Sequence, residues 1–270
     1  MKNRILFCPI CQNQSLKLKF KYTSKPDVEM DFKIDESDYY REYYECIACG
    51  HMYGKVDYDF SKFYNGEYTK ITYGQGIQKT FDRLINLPEG SSDNEKRFKF
   101  ISNFLDSFFL DKKEIEILDV GSGLGVFPWL VNKSNLKITA LDPDKRNIEH
   151  IKKNIGVKTY NKDFFDLKTK KNFDVITFNK VIEHIINPEA MLQKSLNFLK
   201  KKSFLYVEVP DAKASQDGKN REEFTIEHFH VFSKSSLKIL CKKLSLNCLK
   251  IESVIEPSGK YTIRGIFSFT

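Results

Sequence analysis

Long apolar runs are missing from this sequence. No hydrophobic stretch approaches the roughly 20 residues that a bilayer-spanning helix needs. A signal-peptide core is also missing, because the short apolar segment after Arg4 meets Cys8 and Pro9. These absences argue against an α-helical membrane protein and a secreted precursor, and they predict a cytoplasmic protein.

Clustered arginine is missing as well, although the net charge is +8. Most of the positive charge is lysine, spread along the chain and interleaved with Asp and Glu. A surface that binds nucleic-acid phosphates more often concentrates arginine with interleaved aromatic residues. The composition therefore favours a solvated charged surface over nucleic-acid binding. It leaves the oligomeric state open.

Cysteine is sparse, with six in 270 residues, and disulfides are not expected in a cytoplasmic protein. Four of the six form two C-x-x-C knuckles, Cys8 with Cys11 and Cys46 with Cys49. Two such turns complete the tetrahedral shell of one zinc ion. Four protein ligands leave no open coordination position, so the spacing predicts structural Zn²⁺. We interpret His51 as a neighbour of this site and not as a ligand.

The pattern of the chain changes twice along its length. Residues 1–65 hold the knuckles and two stretches of partial alternation, Leu16–Tyr22 and 38–45, typical of short antiparallel strands. Residues 66–110 have apolar side chains at three-to-four spacing, which predicts a helical connector. Over 111–270, apolar strands alternate with amphipathic helices, which is typical of a doubly wound sheet. We expect the core of the first segment to be separate from that of the last.

The last segment is predicted to be an α/β unit with a Rossmann-like, largely parallel sheet of seven strands. Strands are expected at 115–120, 136–141, 173–178, 204–209, 249–255 and 261–269. Helices are expected at 126–132, 145–154 and 188–199, and from Ser233 to about Leu244.

A glycine loop follows the first of these strands, with glycine at positions 121, 123 and 125. Glycine lets the backbone turn sharply and approach a ligand closely. Asp142 ends the next strand, where a carboxylate can accept hydrogen bonds from ribose hydroxyls. A dinucleotide fingerprint would place its third glycine at Val126, and Asp119 would repel a pyrophosphate. An acid there suits a sulfonium ligand with an amino group, so the pattern predicts S-adenosylmethionine and not NAD.

These motifs resemble those of class I S-adenosylmethionine-dependent methyltransferases, in consistent order from 115 to 270. Segment 118–125 is similar to their first motif, 173–179 to their fourth strand, and 181–188 to the Glu-His…Pro turn that follows it. The resemblance implies a methyltransferase sheet and an S-adenosylmethionine site. The cofactor-binding residues that it implies are Asp119, Gly121, Gly123, Gly125, Asp142, Asp163 and Asn179.

The knuckles and the segment from Phe63 to Tyr68 resemble a set of bacterial methyltransferases with an N-terminal zinc ribbon. Members of this set are often associated with sugar modification and surface-glycan synthesis. Segment 222–233 is similar to their "EHF…FS" element, in which Glu and His face the acceptor. The resemblance implies a sugar or nucleotide-sugar substrate. The sequence shows no match to the extra C-terminal domain of the sugar C-methyltransferases, which favours oxygen over carbon as acceptor.

Transfer of a methyl group to a hydroxyl removes a proton, and a base with a pKa near 7 assists that step. Glu227 and His228 form the first candidate pair, with the carboxylate stabilising the imidazolium, and His184 is the second candidate. As an alternative, Glu183 and Glu227 only hold loops, and His230 is a buried structural histidine.

The sequence thus favours methyl transfer to a hydroxyl of a nucleotide-linked or surface-glycan sugar. One rival is an RNA methyltransferase whose zinc ribbon and lysines grip phosphate, with affinity that falls steeply with salt. A sugar C-methyltransferase is another. A third is a zinc-ribbon binding protein with a vestigial methyltransferase domain, against which the intact glycine loop and Asp142 argue.

Overall fold

The computed structural model describes residues 7–32, 34–35, 39–56, 76–109, 111 and 114–269. The Phe63 to Tyr68 segment, which contributed to the resemblance, lies outside these ranges. Among the helices within them, none combines the length and the apolar character needed to cross a membrane.

Strands and helices alternate along most of the described chain. The strands are β1 (Leu16–Tyr22), β2 (Arg41–Cys46), β3 (Met52–Val56), β4 (Glu116–Val120), β5 (Lys137–Asp142), β6 (Lys158–Asn161), β7 (Phe173–Asn179), β8 (Leu199–Pro210), β9 (His230–Val231), β10 (Asn247–Ile255) and β11 (Tyr261–Ser268). The α-helices are α1 (Ile77–Ile85), α2 (Asp93–Phe108), α3 (Val126–Lys133), α4 (Lys145–Asn154), α5 (Pro188–Leu196) and α6 (Lys234–Lys243).

Seven strands form the larger sheet, in the order β10-β11-β8-β7-β4-β5-β6. The five strands from β8 to β6 are parallel, whereas β11 runs antiparallel to both β8 and β10. The predicted α/β fold with a seven-stranded Rossmann-like sheet is confirmed. Strand β6 had no counterpart among the six predicted strands, because Lys158–Asn161 is short and polar.

Both faces of this sheet are covered, which explains the nearly continuous apolar runs of its central strands. On one face Ile117 and Val175 pack with α2 and α3. On the other face their chain neighbours Leu118 and Ile176 pack with α5 and α6. The helices therefore fix the position of the sheet from both sides. Because β4, β5, β7 and β8 are parallel, their carboxyl ends lie at one edge of the sheet, where ligands bind in open α/β sheets.

Local capping signals mark the first residues of three helices, and for α5 and α6 these starts agree with the prediction. Ser92 caps α2 by accepting a hydrogen bond from the Glu95 N–H. Asn187 caps α5 in the same way, and Pro188 occupies its first turn. Ser233 and Ser236 form a reciprocal capping box at α6.

The N-terminal strands form a second, antiparallel sheet in the order β1-β2-β3-β9. Its last strand comes from the far end of the chain, because Met52 and Tyr53 pair with Val231 and His230. Cys8, Cys46 and Cys49 belong to the same buried cluster as the face of the larger sheet that α5 and α6 cover, and the partly buried Cys11 packs against it. The expectation that the two segments have separate cores is therefore wrong.

A buried ionic cluster ties the helical connector to the larger sheet. Glu208, in β8, is bound by the guanidinium of Arg97 from α2 and by that of Arg264 from β11. The Tyr206 hydroxyl also donates to Glu208 at 2.6 Å. Burial opposes ionisation, but the two arginines lower the pKa of Glu208 to about 2. Nothing in the sequence pattern indicated this cluster, since its partners are far apart in the chain.

Candidate functional site

The loop between β4 and α3 approaches a cavity with its backbone. Gly121, Gly123 and Gly125 have φ values of 71°, 51° and 77°, a region that residues with a Cβ seldom adopt. A Cβ at Gly121 would lie 2.6 Å from Cγ2 of Val181. A side chain at Gly121 would therefore displace the loop that follows β7.

Gly125 has a different role from the other two glycines. A Cβ on it would lie 2.6 Å from Cγ1 of Ile151 and 2.7 Å from Cδ1 of Ile155, in and just after α4. Gly125 is not among the residues that line the cavity. The absence of a side chain at Gly125 allows α3 and α4 to pack closely, and the expectation that Gly125 binds the cofactor stays a prediction.

Asp142, at the end of β5, holds the glycine loop in place. Its Oδ2 accepts the Gly123 N–H at 2.8 Å, and its Oδ1 accepts the Asp144 N–H at 2.8 Å. The side-chain amide of Asn147 also donates to Oδ1, at 3.2 Å. Burial raises the pKa of Asp142. Each carboxylate oxygen can accept two hydrogen bonds, so Oδ2 retains an acceptor position for a ligand hydroxyl.

Asp119, in β4, is a buried acid at the base of the loop. Its Oδ1 accepts hydrogen bonds from the Thr177 hydroxyl and the Asn179 amide, both at 2.6 Å. Burial raises its pKa to about 6. The Oδ1 of Asn179 is buried and has no hydrogen-bond partner among the described residues. A carboxylate and an unused amide oxygen together suit a ligand that is cationic and donates hydrogen bonds.

Asp163 lies on the loop after β6. Its Oδ1 accepts the Phe165 N–H at 2.7 Å and so caps a short 3₁₀ helix. Asp163 lines the cavity beside Phe164. This position is compatible with the predicted role of Asp163 in binding the cofactor.

One cavity of about 730 Å³ joins these groups at the carboxyl edge of the sheet. On its cofactor side, acids can accept hydrogen bonds from hydroxyl, amine and ammonium groups, and the glycine loop lets a ligand approach the backbone closely. This set of acceptors fits S-adenosylmethionine. Its other side is lined by His184, Glu227 and His228. Val28 and Met30, from the N-terminal segment, also line it.

His184 and His228 face each other, with ring centroids 4.7 Å apart. Nδ1 of His228 lies 3.0 Å from the Glu223 carbonyl, and Nδ1 of His184 lies 3.1 Å from the Glu227 carbonyl. A carbonyl only accepts, so each Nδ1 carries the proton and each Nε2 presents a lone pair. Burial lowers the pKa of His184 to about 4 and that of His228 well below its ordinary value, so both rings are neutral at pH 7.

Glu227 and His228 do not form the pair that the sequence suggested. The Nδ1 proton of His228 goes to the Glu223 carbonyl and not to the Glu227 carboxylate. The predicted stabilisation of a His228 imidazolium by the nearby Glu227 carboxylate therefore does not involve Nδ1, and it stays a prediction. Burial raises the pKa of Glu227 to about 7, and its Oε2 has no hydrogen-bond partner among the described residues.

Glu183 is a fully buried acid that the sequence analysis treated only as a loop-holding residue. Neither of its carboxylate oxygens has a hydrogen-bond partner in the described part of the chain. Burial raises its pKa to about 8. One ligand atom from each of Glu183, His184 and His228 lies within 4.8 Å of the other two.

The four knuckle cysteines converge as the spacing predicted. The Sγ atoms of Cys8 and Cys49 are 3.7 Å apart, and those of Cys11 and Cys46 are 3.5 Å apart. With Zn–S bonds of about 2.3 Å, a tetrahedral shell places its sulfurs about 3.8 Å apart. The four thiols therefore fit one structural zinc ion.

His51 lies outside the sulfur cluster, as interpreted. Its Nε2 is 3.0 Å from Nδ1 of His230, and Nε2 of His230 is 3.3 Å from the Ile186 carbonyl. Both rings are buried, and burial lowers both pKa values. His230 is thus a buried structural histidine, the alternative that the sequence left open.

The described fold and site together define a class I S-adenosylmethionine-dependent methyltransferase domain. A family model described as "Methyltransferase domain" matches residues 94–251. The chain belongs to this methyltransferase family.

Sequence relatives share only part of their length with this chain. A ubiquinone biosynthesis O-methyltransferase of Pelagibacter ubique (strain HTCC1062) is 31% identical over 102 residues, which are 35% of this chain and 42% of the relative. A protein of the same name from Rickettsia bellii (strain OSU 85-389) is 27% identical over 119 residues, 42% of this chain and 50% of the relative. The match thus spans half or less of these curated relatives.

Solved structures share the fold at low sequence identity. The plantazolicin methyltransferase BpumL, in complex with SAH, superposes with a TM-score of 0.58 and 16% identity, over 73% of this chain and 90% of that one. Magnesium protoporphyrin IX methyltransferase (ChlM) from Synechocystis PCC 6803, with bound SAH, gives a TM-score of 0.59 and 8% identity, over 77% and 97%. These likenesses concern the fold.

Proposed function

We propose that this protein transfers the methyl group of S-adenosylmethionine to a hydroxyl of a small acceptor. The observation that carries the proposal is the continuity of the cavity. The glycine loop, Asp119 and Asp142 line one side of it, and the His184–His228 pair lines the other. A nucleotide held at the loop therefore has its reactive end directed toward polar groups and not toward solvent.

Bound S-adenosylmethionine supplies an electrophilic methyl group on a sulfonium. Asp119 and the free Oδ1 of Asn179 would accept hydrogen bonds from the ligand ammonium, Oδ2 of Asp142 from a ribose hydroxyl, and Asp163 from the adenine amino group. Displacement requires the acceptor oxygen in line with the methyl carbon, and holding reactants in this way is itself a large part of catalysis. His184, Glu227 and His228 would position the acceptor and handle its proton.

The acceptor is proposed to be a hydroxyl of a nucleotide-linked or surface-glycan sugar. Two features support it: the N-terminal four-cysteine module, and the segment from Glu222 to Ser233, which contributes Glu222, Glu223, Thr225, Glu227 and His228 to the cavity lining. The two matched relatives are named O-methyltransferases, which supports an oxygen acceptor. Their names also favour a second candidate, a phenolic or quinol hydroxyl.

The test is an acceptor panel with purified full-length protein and S-adenosylmethionine, with formation of S-adenosylhomocysteine as readout. The panel contains nucleotide sugars, short glycans and dihydroxy aromatic compounds, and mass spectrometry and NMR identify the methylated atom. We expect O-methylation of one of these classes of acceptor. Methylation at carbon, or turnover only with RNA, would overturn the proposed acceptor chemistry.

A further inference from the structure

Two imidazole rings at the acceptor side have their orientation set by backbone carbonyls. Each Nδ1 donates to a carbonyl, Glu223 for His228 and Glu227 for His184. Histidines that bind metal ions usually donate their other ring N–H to such a partner, which sets the tautomer and the ring orientation. With the proton on Nδ1, each ring carries its lone pair on Nε2, the atom that would bind a metal ion.

Glu183 completes a three-ligand set. Its side chain is 0% exposed and lines the cavity, and its carboxylate oxygens lack hydrogen-bond partners among the described residues. The nearby ammonium of Lys180 favours the charged form of Glu183 through space, but the hydrogen bond that it donates goes to the Thr262 hydroxyl, at 2.7 Å. Burying a carboxylate without a partner is costly, so this acid requires a compensating cation or a proton.

We propose that Glu183, His184 and His228 bind a divalent cation at the acceptor side of the cavity. The ligand atoms lie within 4.8 Å of one another, as three ligands on one face of a metal ion require. Two imidazoles and one carboxylate are a common set for first-row divalent ions. This site differs from the cysteine cluster in ligand softness and in having open positions.

The open positions define the acceptor class, a step that rests on the proposed function. An ion with three protein ligands can take two adjacent oxygens of a vicinal diol and still bind water. The cation stabilises the negative charge that develops on one of these oxygens as its proton leaves to water. That oxygen then forms the bond to the methyl carbon, the C–S bond breaks, and its electron pair stays on sulfur. His228 in this arrangement is a ligand and not the base that the sequence suggested.

Mn²⁺ is the probe of choice, because it prefers carboxylate, imidazole and water to thiolates. Full-length protein with zinc in its cysteine cluster is titrated with Mn²⁺ and followed by EPR, without S-adenosylmethionine or acceptor. We expect one Mn²⁺ per chain, and Glu183→Gln should weaken binding about tenfold or more. Absence of binding by the wild type, or equal binding by E183Q, would overturn the site.

Glu222→Gln is the matched control. This carboxylate lines the same cavity but is 42% exposed and pairs with Lys260 at 3.2 Å. E222Q should bind Mn²⁺ like the wild type. Retained S-adenosylhomocysteine binding shows that E183Q is folded, and His228→Gln, which removes a different ligand, should weaken Mn²⁺ binding similarly.

Chelation is tested on the Mn²⁺-loaded protein with catechol and with phenol as probes. Catechol, with two adjacent oxygens, should change the EPR spectrum of the bound ion, whereas phenol should not. Identical spectra with both probes would overturn the diol part. Mn²⁺ binding is measured without turnover, so absence of binding by the wild type contradicts the metal site alone. Absence of methyl transfer by a protein that does bind Mn²⁺ contradicts the proposed function alone.

Discussion

Single residues at the cofactor side combine burial with unused hydrogen-bonding capacity. Asp119 is 1% exposed and Asp142 is 6% exposed, yet both are acids at a cavity wall. Burial disfavours their charged forms, and a cationic or donor ligand restores the balance. The buried acids therefore lower the free energy of unfolding of the ligand-free protein, and binding of a cationic or hydrogen-bond-donating ligand should raise it again.

Asp119→Asn should stabilise the ligand-free protein at neutral pH. The pKa of Asp119 rises from 3.8 to about 6 on folding, so the folded state holds the proton more tightly and stability falls as pH rises between these values. At pH 7.5 the cost amounts to at most about 3 kcal/mol, and the amide removes it. Thermal unfolding should show a higher Tm for D119N at pH 7.5 and a smaller difference at pH 4.5. If D119N and the wild type differed in Tm by the same amount at both pH values, the raised pKa of Asp119 would not be the cause. Asp166→Asn, at an exposed acid, is the control and should leave Tm unchanged.

Asp142→Ala should weaken binding of S-adenosylhomocysteine by one to two orders of magnitude. The substitution removes an acceptor for a ligand hydroxyl, worth about 1.5–3 kcal/mol for a charged group, and it frees the Gly123 N–H that Oδ2 now accepts. Titration calorimetry measures the change. Glu149→Ala, an exposed acid on α4, is the control, and unchanged affinity in a folded D142A would reject the placement of the ribose.

At the scale of elements, the N-terminal sheet holds the acceptor segment. The Tyr43 hydroxyl, from β2, donates to the His228 carbonyl at 2.6 Å and lies 3.0 Å from the Thr225 carbonyl. The Gly54 N–H, from β3, donates to the Phe229 carbonyl at 2.9 Å. The module with the cysteine cluster thus sets the position of His228 in the cavity.

Tyr43→Phe tests this connection. The phenyl ring keeps the packing but removes the hydroxyl that donates to the buried His228 carbonyl, at a cost of about 1–3 kcal/mol. We expect faster amide exchange over residues 225–229, weaker acceptor binding, and S-adenosylhomocysteine affinity close to that of the wild type. Tyr44→Phe, at a partly exposed hydroxyl that donates to Glu42, should leave exchange in that segment as it is. Equal exchange in the two variants would contradict the role of Tyr43.

Cys46→Ser should remove the zinc ion from the cysteine cluster, as elemental analysis will show. Because the thiolates pack in the core that also holds Phe232, loss of the ion should loosen the acceptor segment as well as the N-terminal sheet. We expect a lower Tm, a strong loss of methyl transfer, and a small change in S-adenosylhomocysteine binding, since none of the four cysteines lines the cavity. Cys248→Ser, outside the cluster, should retain zinc. Full zinc content in C46S would contradict the assigned ligands.

At the scale of the whole molecule, the net charge of +8 belongs mostly to lysines that form ion pairs or lie in solvent. A small acceptor bound inside the cavity makes few contacts with such charges. We expect KM for the acceptor to change by less than about threefold between 50 and 200 mM salt, whereas a protein that contacts several phosphates loses orders of magnitude in affinity over this range. A steep decrease with salt would favour the RNA methyltransferase alternative.

The cofactor half of the site could be predicted from the sequence because its determinants are local. Asp119 and the glycines lie in one short string, and Asp142 ends the next predicted strand. Parallel strands joined by helices bring such strand ends to one edge of the sheet whatever the rest of the chain does. The cysteine cluster was predictable for the same reason, since each knuckle forms within four residues. The close packing of Gly125 against Ile151 and Ile155 could not be predicted, because the string does not show which way a Cβ would point.

The acceptor half was decided by tertiary structure. Glu183 and His228 are 45 positions apart and meet only because two loops pack together, and Glu208 binds an arginine 111 positions away. The pairing of β3 with β9 likewise joins distant segments, and it merges two cores that the pattern presented as separate. Hydrophobic periodicity reports which face of an element is buried, but not which distant element covers it. Sequence alone therefore determined the class of fold and the cofactor, whereas packing determined which side chains face the acceptor.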